Sequence, residues 1–361
     1  MMRILVTGGG GFLGKAITRQ LLDKGYAVRV LGRNRYPEVE EMGAEGVVCD
    51  LSVGRRLDEA LVGVDAVIHT AARAGMWGAY EDYYQANVVA TERLLEAIQR
   101  AAVPRLVYTS SPSVTFQGRD EENVSENDAR YPDTFPFYYP ETKALAEAIV
   151  LAANGPALAT TSIRPHLIYG PGDPHLLPRL VARHQAGRLR VIGDGKNKVA
   201  LTYIDNAAQA HVQALEQLAP DSPNAGKPYF VTDEDPVLVW DWLNEVFQEA
   251  GLGRIEGQVS RWIALPLASA VEGFWWALAL KSEPPITKFT VQQISSSHWY
   301  DLSNAKRDFG YAPSISGEEG KLRTIAWLKE AHPPPPPPPP EPAPAPKAAA
   351  DADVDNPGSA P

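Results

Sequence analysis

A glycine-rich segment near the start of the chain constrains its fold more than any other feature. Residues 7–14 read Thr-Gly-Gly-Gly-Gly-Phe-Leu-Gly and directly follow the apolar run Ile4-Leu5-Val6. Glycine lets a phosphate approach the backbone, and the helix after such a turn directs free N–H groups and the positive end of its dipole at that phosphate. Because an apolar run precedes the segment and an amphipathic stretch follows it, an incidental turn is disfavoured. The segment predicts a dinucleotide-binding loop formed by Gly8, Gly11, Phe12, Leu13 and Gly14.

Composition narrows the classes of function. The chain has 361 residues, of which 44% are hydrophobic, so it can form one large domain or two lobes. A net charge of −10 argues against nucleic acid as a partner. A single cysteine, Cys49, and histidines without metal-ligand spacing argue against a disulfide framework and against a metal site. Since the glycine loop leaves no room for a signal peptide before Gly8, we expect a cytoplasmic protein.

Strand-like and helix-like segments alternate through the first half of the chain. This rhythm predicts an α/β fold, a doubly wound parallel sheet of the Rossmann type with right-handed crossovers, whose ligand lies at the carboxyl ends of the strands. We assign residues 1–169 to a dinucleotide-binding domain that elements around 201–218 complete, and residues 170–332 mainly to a smaller substrate-binding lobe. Predicted strands cover 27–31, 46–49, 66–69, 105–109 and 161–164, and predicted helices cover 12–24, 80–100, 144–153 and 206–218.

Two later segments do not follow this rhythm. Residues 262–280 are almost entirely apolar, but Pro266, Glu272 and Gly273 interrupt them, which disfavours a membrane-spanning helix. Two interpretations stay open: a buried helix, or a cover over an apolar ligand that also touches a membrane surface. Residues 333–361 begin with eight prolines and continue with Pro, Ala and Asp, so we expect a disordered tail.

A tyrosine and a lysine four residues apart are the candidates for catalysis. Tyr139 and Lys143 share one face of a predicted helix, and Pro140 suits its first turn. A free phenol has a pKa of about 10, and a nearby ammonium favours the phenolate, so we expect Lys143 to lower the pKa of Tyr139. The pair follows the strand that ends at Thr109-Ser110-Ser111, which makes a surface tyrosine a weaker interpretation.

The turn after the second strand bears on the choice of cofactor. An acidic residue there would bind the ribose 2′-hydroxyl of NAD, whereas arginine accommodates the 2′-phosphate of NADP. The chain has Leu31-Gly32-Arg33-Asn34-Arg35, without a carboxylate. Arginine binds phosphate with two parallel hydrogen bonds. We therefore expect NADP(H), held by Arg33 and Arg35, although a solvated basic turn is the alternative.

An ordered set of motifs resembles the extended short-chain dehydrogenases, within their 3β-hydroxysteroid dehydrogenase-like branch. The resemblance covers most of residues 1–320 and rests on the segments 7–14, 50–51, 71–72, 87–91, 108–111, 139–143 and 164–165. Further segments resemble a subgroup of that branch, which reduces 2-alkyl-3-oxoalkanoates in bacterial olefin biosynthesis: 74–78, 84–89, 193–199, 202–206 and 298–300. Ala90 stands where the family usually has glycine, and the proline-rich tail lies outside the pattern.

The resemblance implies roles for the catalytic candidates. Tyr139 would give a proton to the substrate oxygen, and Lys143 would tune Tyr139 and bind the ribose of the nicotinamide. Ser111 would hold the carbonyl oxygen, with its neighbour Ser110 as the alternative and a turn or capping serine as the structural interpretation. Asp50 would contact adenine, and Pro165-His166 would place backbone near the carboxamide. The implied cofactor contacts outside the glycine loop are Asp50, Leu51, Ala71, Ala72, Tyr139, Lys143, Pro165 and His166.

The resemblance also implies a function. It is that of an NADPH-dependent reductase of a long-chain 2-alkyl-3-oxoalkanoic acid or another apolar ketone. The alternatives are a 3β-hydroxysteroid or sterol dehydrogenase and, from another class, a non-catalytic NADP(H)-binding regulator. We expect Arg73 to pair with the substrate carboxylate, with a solvated surface arginine as the alternative. We expect Trp77 to help residues 262–280 line an apolar tunnel. Expected partners are other enzymes of the olefin pathway, a second copy of the chain in a homo-oligomer, and a membrane surface contacted peripherally.

Overall fold

The computed structural model describes residues 1–333 except Met76, Glu234 and Lys281. The tail expected over 333–361 therefore lies outside the described residues, apart from Pro333. The strands are β1 (Arg3–Thr7), β2 (Ala27–Gly32), β3 (Glu45–Val48), β4 (Ala66–His69), β5 (Arg105–Thr109), β6 (Glu121–Val124), β7 (Ala159–Pro165), β8 (Ile168–Tyr169), β9 (Val191–Ile192), β10 (Lys198–Val199), β11 (Thr202–Tyr203), β12 (Pro228–Val231), β13 (Val237–Leu238), β14 (Gln258–Val259) and β15 (His298–Tyr300).

Thirteen α-helices lie among these strands in the described residues. They are α1 (Phe12–Asp23), α2 (Pro37–Glu41), α3 (Leu57–Ala60), α4 (Tyr80–Tyr83), α5 (Ala90–Arg100), α6 (Tyr138–Ala152), α7 (Leu176–Gln185), α8 (Ile204–Gln217), α9 (Val239–Glu249), α10 (Arg261–Ala277), α11 (Lys288–Ser295), α12 (Ser303–Phe309) and α13 (Gly317–Ala331). A π-helical segment, Tyr84–Val89, joins α4 to α5, and a 3₁₀ turn, Pro112–Val114, follows β5.

A seven-stranded parallel sheet forms the centre of the molecule, in the order β12-β7-β5-β4-β1-β2-β3. This confirms the predicted Rossmann-type doubly wound fold. The strand order reverses between β1 and β4, and open α/β sheets bind ligands in the crevice at such a reversal. β12, which the sequence did not suggest, extends the sheet beyond β7. Shorter sheets join β13-β10-β15-β6, β11-β8 and β14-β9.

Alternating side chains of the buried strands pack into two hydrophobic cores, one on each face of the sheet. Ile4 and Val6 of β1 belong to one core, whereas Leu5 belongs to the other. This alternation follows from the two-residue period of a strand, and burial on both faces explains why these strands read as continuous apolar runs. Helices α1 and α8 pack together on one face, and α5 and α6 pack on the other.

Two helices differ from the sequence-based expectation. The helix predicted over 80–100 contains the π-helical segment, in which hydrogen bonds join residues five apart, and the sequence pattern did not indicate it. The interpretation of residues 262–280 as a buried helix is wrong, since most large apolar side chains of α10 are exposed. None of the described helices is both long enough and apolar enough to cross a membrane.

Candidate active site

A cleft of about 930 Å³ opens at the carboxyl ends of β1, β2, β4, β5 and β7. Most of the residues predicted from the sequence line it together. They are Gly8, Gly11, Phe12, Leu13, Gly14, Arg33, Asp50, Leu51, Ala71, Ala72, Arg73, Ser111, Tyr139, Lys143 and Pro165. The parallel sheet explains this convergence, because it brings the loops that follow its strands to one edge.

The glycine loop has the shape that a diphosphate requires. Gly8 has a φ of 68°, and a Cβ there would lie 2.8 Å from the backbone nitrogen of Ala71. A Cβ at Gly14 would clash with the carbonyl oxygen of Gly8, so α1 can pack this closely on β1 only with glycine there. Gly11 precedes α1 without a side-chain cap, which leaves the N–H groups of the first turn at the cleft. The loop therefore fits the phosphates of a dinucleotide.

Ser111 and Tyr139 meet inside the cleft. The Ser111 side chain lies close enough to the Tyr139 hydroxyl to oppose the rise in its pKa, and the Ser111 oxygen accepts from the backbone N–H of Ser113 at 3.2 Å. Ser111 thus caps the 3₁₀ turn as well. Ser110 also lines the cleft, but it is buried and helps to lower the pKa of Glu147, whereas Ser111 acts on the pKa of Tyr139.

Lys143 is oriented differently from the expectation. Its Nζ donates to the Tyr108 hydroxyl at 2.6 Å and to the carbonyl oxygen of Thr109 at 2.5 Å, and it lies 4.1 Å from the centroid of the Tyr108 ring. Burial lowers the pKa of Lys143 to about 7, and the Glu147 carboxylate opposes this shift. The pKa of Tyr139 is raised by burial, with the Ser111 hydrogen bond opposing the rise, and not lowered as we expected from the lysine.

A buried ion pair that the sequence analysis missed joins α6 to β7. Arg164 Nη2 lies 2.5 Å from Glu147 Oε1, and the two side chains are 3% and 0% exposed. Glu147 also accepts from the hydroxyl groups of Ser162 at 2.8 Å and Tyr131 at 2.7 Å, and Arg164 keeps the pKa of Glu147 low. Glu147 follows Lys143 by four residues, so helical spacing could have placed it on the face of the catalytic candidates.

The π-helical segment positions the loop that follows β4. Asn87, inside this segment, accepts from the backbone N–H of Arg73 at 2.7 Å and donates to the carbonyl oxygen of Arg73 at 3.2 Å. Its amide also donates to Thr142 on α6 at 3.0 Å. The Arg73 guanidinium lies at the cleft, 3.3 Å from an Asp82 carboxylate oxygen and 5.2 Å from the centroid of the Tyr83 ring. Arg73 is therefore available to the cleft but already has an anionic partner.

The two arginines after β2 have different surroundings. Arg33 lines the cleft, and its charge helps to lower the pKa of Asp50. Arg35 does not line the cleft; it donates to both carboxylate oxygens of Glu40, at 3.2 and 2.6 Å. The structure thus brings Arg33, but not Arg35, to the predicted cofactor site. Tyr36, which the sequence analysis did not select, also lines this part of the cleft.

Two more predicted residues lie outside the cleft. The Trp77 indole donates to the carbonyl oxygen of Leu280 at 3.0 Å, which fastens its loop to the end of the α10 region. His166 is buried, with Nδ1 2.7 Å from the carbonyl oxygen of Ala200 and its ring centroid 4.7 Å from that of His298. Leu167, with a φ of 37°, and Ile168 line the cleft in its place. No described residue of α10 lines the cleft, contrary to the expected tunnel.

Comparison with curated proteins identifies similar enzymes. The model of the 3-beta hydroxysteroid dehydrogenase/isomerase family matches residues 5–261. A 2-alkyl-3-oxoalkanoate reductase from Stenotrophomonas maltophilia (strain K279a) is 45% identical over 326 residues, covering 90% of this chain and 99% of that protein. The human sterol-4-alpha-carboxylate 3-dehydrogenase, decarboxylating, is 34% identical over 331 residues, covering 90% of this chain and 87% of that enzyme.

Comparison with solved structures supports the fold. The crystal structure of UDP-glucuronic acid 4-epimerase from Bacillus cereus in complex with NAD has a TM-score of 0.69 to this chain. It covers 91% of this chain and 99% of its own, at 22% identity. At this identity the likeness concerns the arrangement of strands and helices alone.

Proposed function

The chain belongs to the 3-beta hydroxysteroid dehydrogenase/isomerase family, a family of oxidoreductases, and from this premise we propose that it is an NADPH-dependent reductase of 2-alkyl-3-oxoalkanoic acids. The product is the corresponding 3-hydroxy acid. The observation that carries the proposal is the convergence of Ser111, Tyr139 and Lys143 beside a glycine loop that fits a dinucleotide. The similarity to a 2-alkyl-3-oxoalkanoate reductase, over nearly the whole length of that enzyme, supports the substrate class.

The residues of the cleft divide the work of binding and proton transfer. A nicotinamide dinucleotide, when bound, supplies the hydride for the carbonyl carbon. The loop at Gly8–Gly14 and the first turn of α1 bind its phosphates. Tyr139 gives its phenolic proton to the substrate oxygen, and Ser111 hydrogen-bonds the same oxygen. Burial raises the pKa of Tyr139, and the Ser111 side chain opposes that rise, so Ser111 favours release of the phenolic proton.

Arg33 supports the choice of NADP(H) over NAD. Its guanidinium lies at the cleft immediately after β2, where a 2′-phosphate would be bound. Arg35 reaches the same phosphate only after leaving Glu40, so Arg33 carries most of the preference. Asp50, which follows β3, lies close enough to Arg33 for the two charges to interact. The Asp50 carboxylate also accepts from the backbone N–H and the hydroxyl of Ser52.

Arg73 is the cation proposed to bind the substrate carboxylate. The names of both relatives describe a substrate with a carboxylate on a carbon that neighbours C3. That carbon is C2 in a 2-alkyl-3-oxoalkanoate and C4 in a sterol-4-alpha-carboxylate. Among the described residues that line the cleft, the lysines and arginines are Arg33, Arg73 and Lys143, and Lys143 is occupied by Tyr108 and Thr109. A substrate carboxylate competes with Asp82 for Arg73.

The second candidate is a sterol dehydrogenase, which the similarity to the human sterol-4-alpha-carboxylate enzyme favours. One set of reactions distinguishes the two. Purified protein and NADP⁺ would be given a long-chain 2-alkyl-3-hydroxy acid, the secondary alcohol that lacks its carboxylate, and a 3β-hydroxysteroid. The oxidative direction is chosen because 3-oxo acids lose carbon dioxide spontaneously.

We expect the acid to have the highest kcat/KM. Arg73→Ala should remove the preference for the acid over the alcohol, and Asp82→Asn should lower the KM of the acid alone, because it releases Arg73. A wild type that prefers the steroid would overturn the substrate assignment, and a protein that binds cofactor but turns over none of the three would be a regulator. Equal losses for acid and alcohol in Arg73→Ala would exclude only the role of Arg73.

A further inference from the structure

Two glycines beside the cleft are required by a neighbouring side chain and not by the backbone. Neither Gly10 nor Gly32 has a positive φ, so residues with a side chain could adopt both conformations. A Cβ at Gly10 would overlap Cγ and Cδ1 of Tyr36. A Cβ at Gly32 would clash with Cε2 of the same ring and lie 2.8 Å from its hydroxyl oxygen. The Tyr36 ring therefore bridges the glycine loop and the end of β2.

This packing explains a glycine of the loop that phosphate binding does not require. The tight turn and the close packing of α1 account for Gly8 and Gly14, and Gly11 precedes the first turn of α1. Gly10 lies in the same loop but does not line the cleft, whereas Tyr36 does. At this point the wall of the cofactor cleft is therefore a phenol ring that the missing side chain of Gly10 admits.

The local sequence fixes the backbone that carries this ring. Pro37 follows Tyr36, and a residue before proline is kept out of the helical region; Tyr36 has a φ of −127° and a ψ of 83°. Its carbonyl oxygen accepts from the backbone N–H groups of Val39 at 3.1 Å and Glu40 at 3.2 Å, in the first turn of α2. Val39 is fully buried and anchors α2 in the core. The ring is thus in place before a ligand binds.

The Tyr36 hydroxyl is a hydrogen-bond donor without a partner. It forms no hydrogen bond with any residue that the structure describes, although it lies beside Gly32 at the end of β2. Gly32 and Arg33 line the cleft together with Tyr36, whereas Arg35 is paired with Glu40. The cleft wall after β2 therefore presents two kinds of donor, a guanidinium and a phenol hydroxyl.

We propose that Tyr36 determines cofactor specificity, because its hydroxyl donates a hydrogen bond to the 2′-phosphate of NADP(H) beside Arg33. A hydrogen bond to a charged acceptor is about twice as strong as one between neutral groups, so the same phenol gains less from the 2′-hydroxyl of NAD. This inference rests on the choice of NADP(H) in the proposed function. It assigns to Tyr36 the second phosphate contact that the sequence suggested for Arg35.

Two other roles for the ring predict different results. A ring that only fills the space above the two glycines would affect folding and not the choice of cofactor. A ring that stacks on adenine would bind NADP(H) and NAD(H) equally well, since both carry that base. Tyr36→Phe keeps the ring in both cases, so only a hydroxyl that contacts the 2′-phosphate makes this variant selective.

Calorimetric titration of the full chain with two cofactor fragments tests the proposal. Adenosine 2′,5′-bisphosphate and adenosine 5′-phosphate differ by the 2′-phosphate alone, and neither depends on turnover. We expect the wild type to bind the bisphosphate more tightly. Tyr36→Phe should weaken binding of the bisphosphate by at least about ten-fold and leave binding of the monophosphate unchanged. In the control Tyr26→Phe, which removes a hydroxyl that donates to Glu216 outside the cleft, both affinities should stay unchanged.

The position of the ring is tested independently by Gly10→Ala. The added methyl group would displace the ring, so the melting temperature should fall by a few degrees and the preference for the bisphosphate should be lost. In Tyr36→Ala the space is open, and adding Gly10→Ala to that variant should leave the melting temperature almost unchanged. An equal fall in both backgrounds would show that the ring does not occupy this space, which would overturn the proposal.

The titrations also separate this inference from the proposed function. A wild type that binds the two fragments equally would overturn the choice of NADP(H) and the role of Tyr36 with it. A wild type that prefers the bisphosphate, with the full preference retained in Tyr36→Phe, would overturn the role of Tyr36 alone. Equal losses for both fragments in Tyr36→Phe would do the same, because the hydroxyl would then act on the shape of the site.

Discussion

Replacing Glu147 by glutamine should destabilise the protein by about 3 kcal/mol. The change keeps the shape of the side chain but leaves the Arg164 guanidinium, 3% exposed, without its carboxylate. Breaking a buried ion pair by removing one partner costs about 3–5 kcal/mol. The lower end is expected here because Glu126 also lies close enough to favour the charged form of Arg164. Tyr131 donates to Oε1 and Ser162 to Oε2, so the amide oxygen of glutamine remains an acceptor for only one of these two hydroxyls.

Urea unfolding followed by tryptophan fluorescence measures this loss. The double variant Glu147→Met/Arg164→Met should recover most of the free energy of unfolding, because an apolar pair of similar volume needs no compensating charge. Glu216→Gln is the control, since its partner Lys24 lies 2.8 Å away on the surface and such pairs contribute below about 1 kcal/mol. A loss in Glu147→Gln no larger than in this control would refute the reasoning.

Three further results are expected. Tyr139→Phe should lower turnover by orders of magnitude while cofactor affinity, measured by fluorescence titration, stays unchanged, because only the phenolic oxygen is lost; near-normal turnover would exclude Tyr139 as proton donor. Arg33→Ala should weaken NADPH binding by about 1.5–3 kcal/mol with little effect on NADH, and Arg35→Ala by less, because Glu40 already holds Arg35; equal losses for both cofactors would mean a structural role. If Lys143 acts as a cation, kcat/KM for reduction should fall as the pH rises through about 7, where burial places the pKa of Lys143. In Glu147→Gln that fall should move to lower pH, because the Glu147 carboxylate raises the pKa of Lys143. An unchanged pH profile would show that titration of Lys143 does not cause the fall.

The fold and the family could be predicted because their signals are local. The glycine loop, the apolar strands and the spacing of Tyr139 and Lys143 each occupy a few consecutive residues, and parallel pairing brings them to one edge of the sheet. The roles of these residues, the choice of NADP(H) and the domain boundaries stay predictions. The sequence could not show that Lys143 turns to Tyr108, because that contact joins two elements 35 residues apart.

Contacts between side chains account for the other differences. The sequence shows that Arg35 is a cation shortly after β2, but it does not show that Glu40 pairs with it. The motif alone therefore cannot distinguish an arginine that binds phosphate from an ion-paired arginine on the surface. His166 follows Pro165 directly, yet its ring turns into the lobe because the carbonyl oxygen of Ala200 and the ring of His298 are there. A motif predicts where the backbone goes more reliably than where a side chain points.

Helix α10 shows the same limit for hydrophobicity. An apolar sequence predicts that side chains leave water, but it does not specify the partner that removes them from it. Ala264 and Ala268 bring the helix against the lobe, and this contact is too narrow to cover Trp262 and Trp276. The exposed tryptophans therefore keep a driving force for association that folding of the chain leaves unsatisfied.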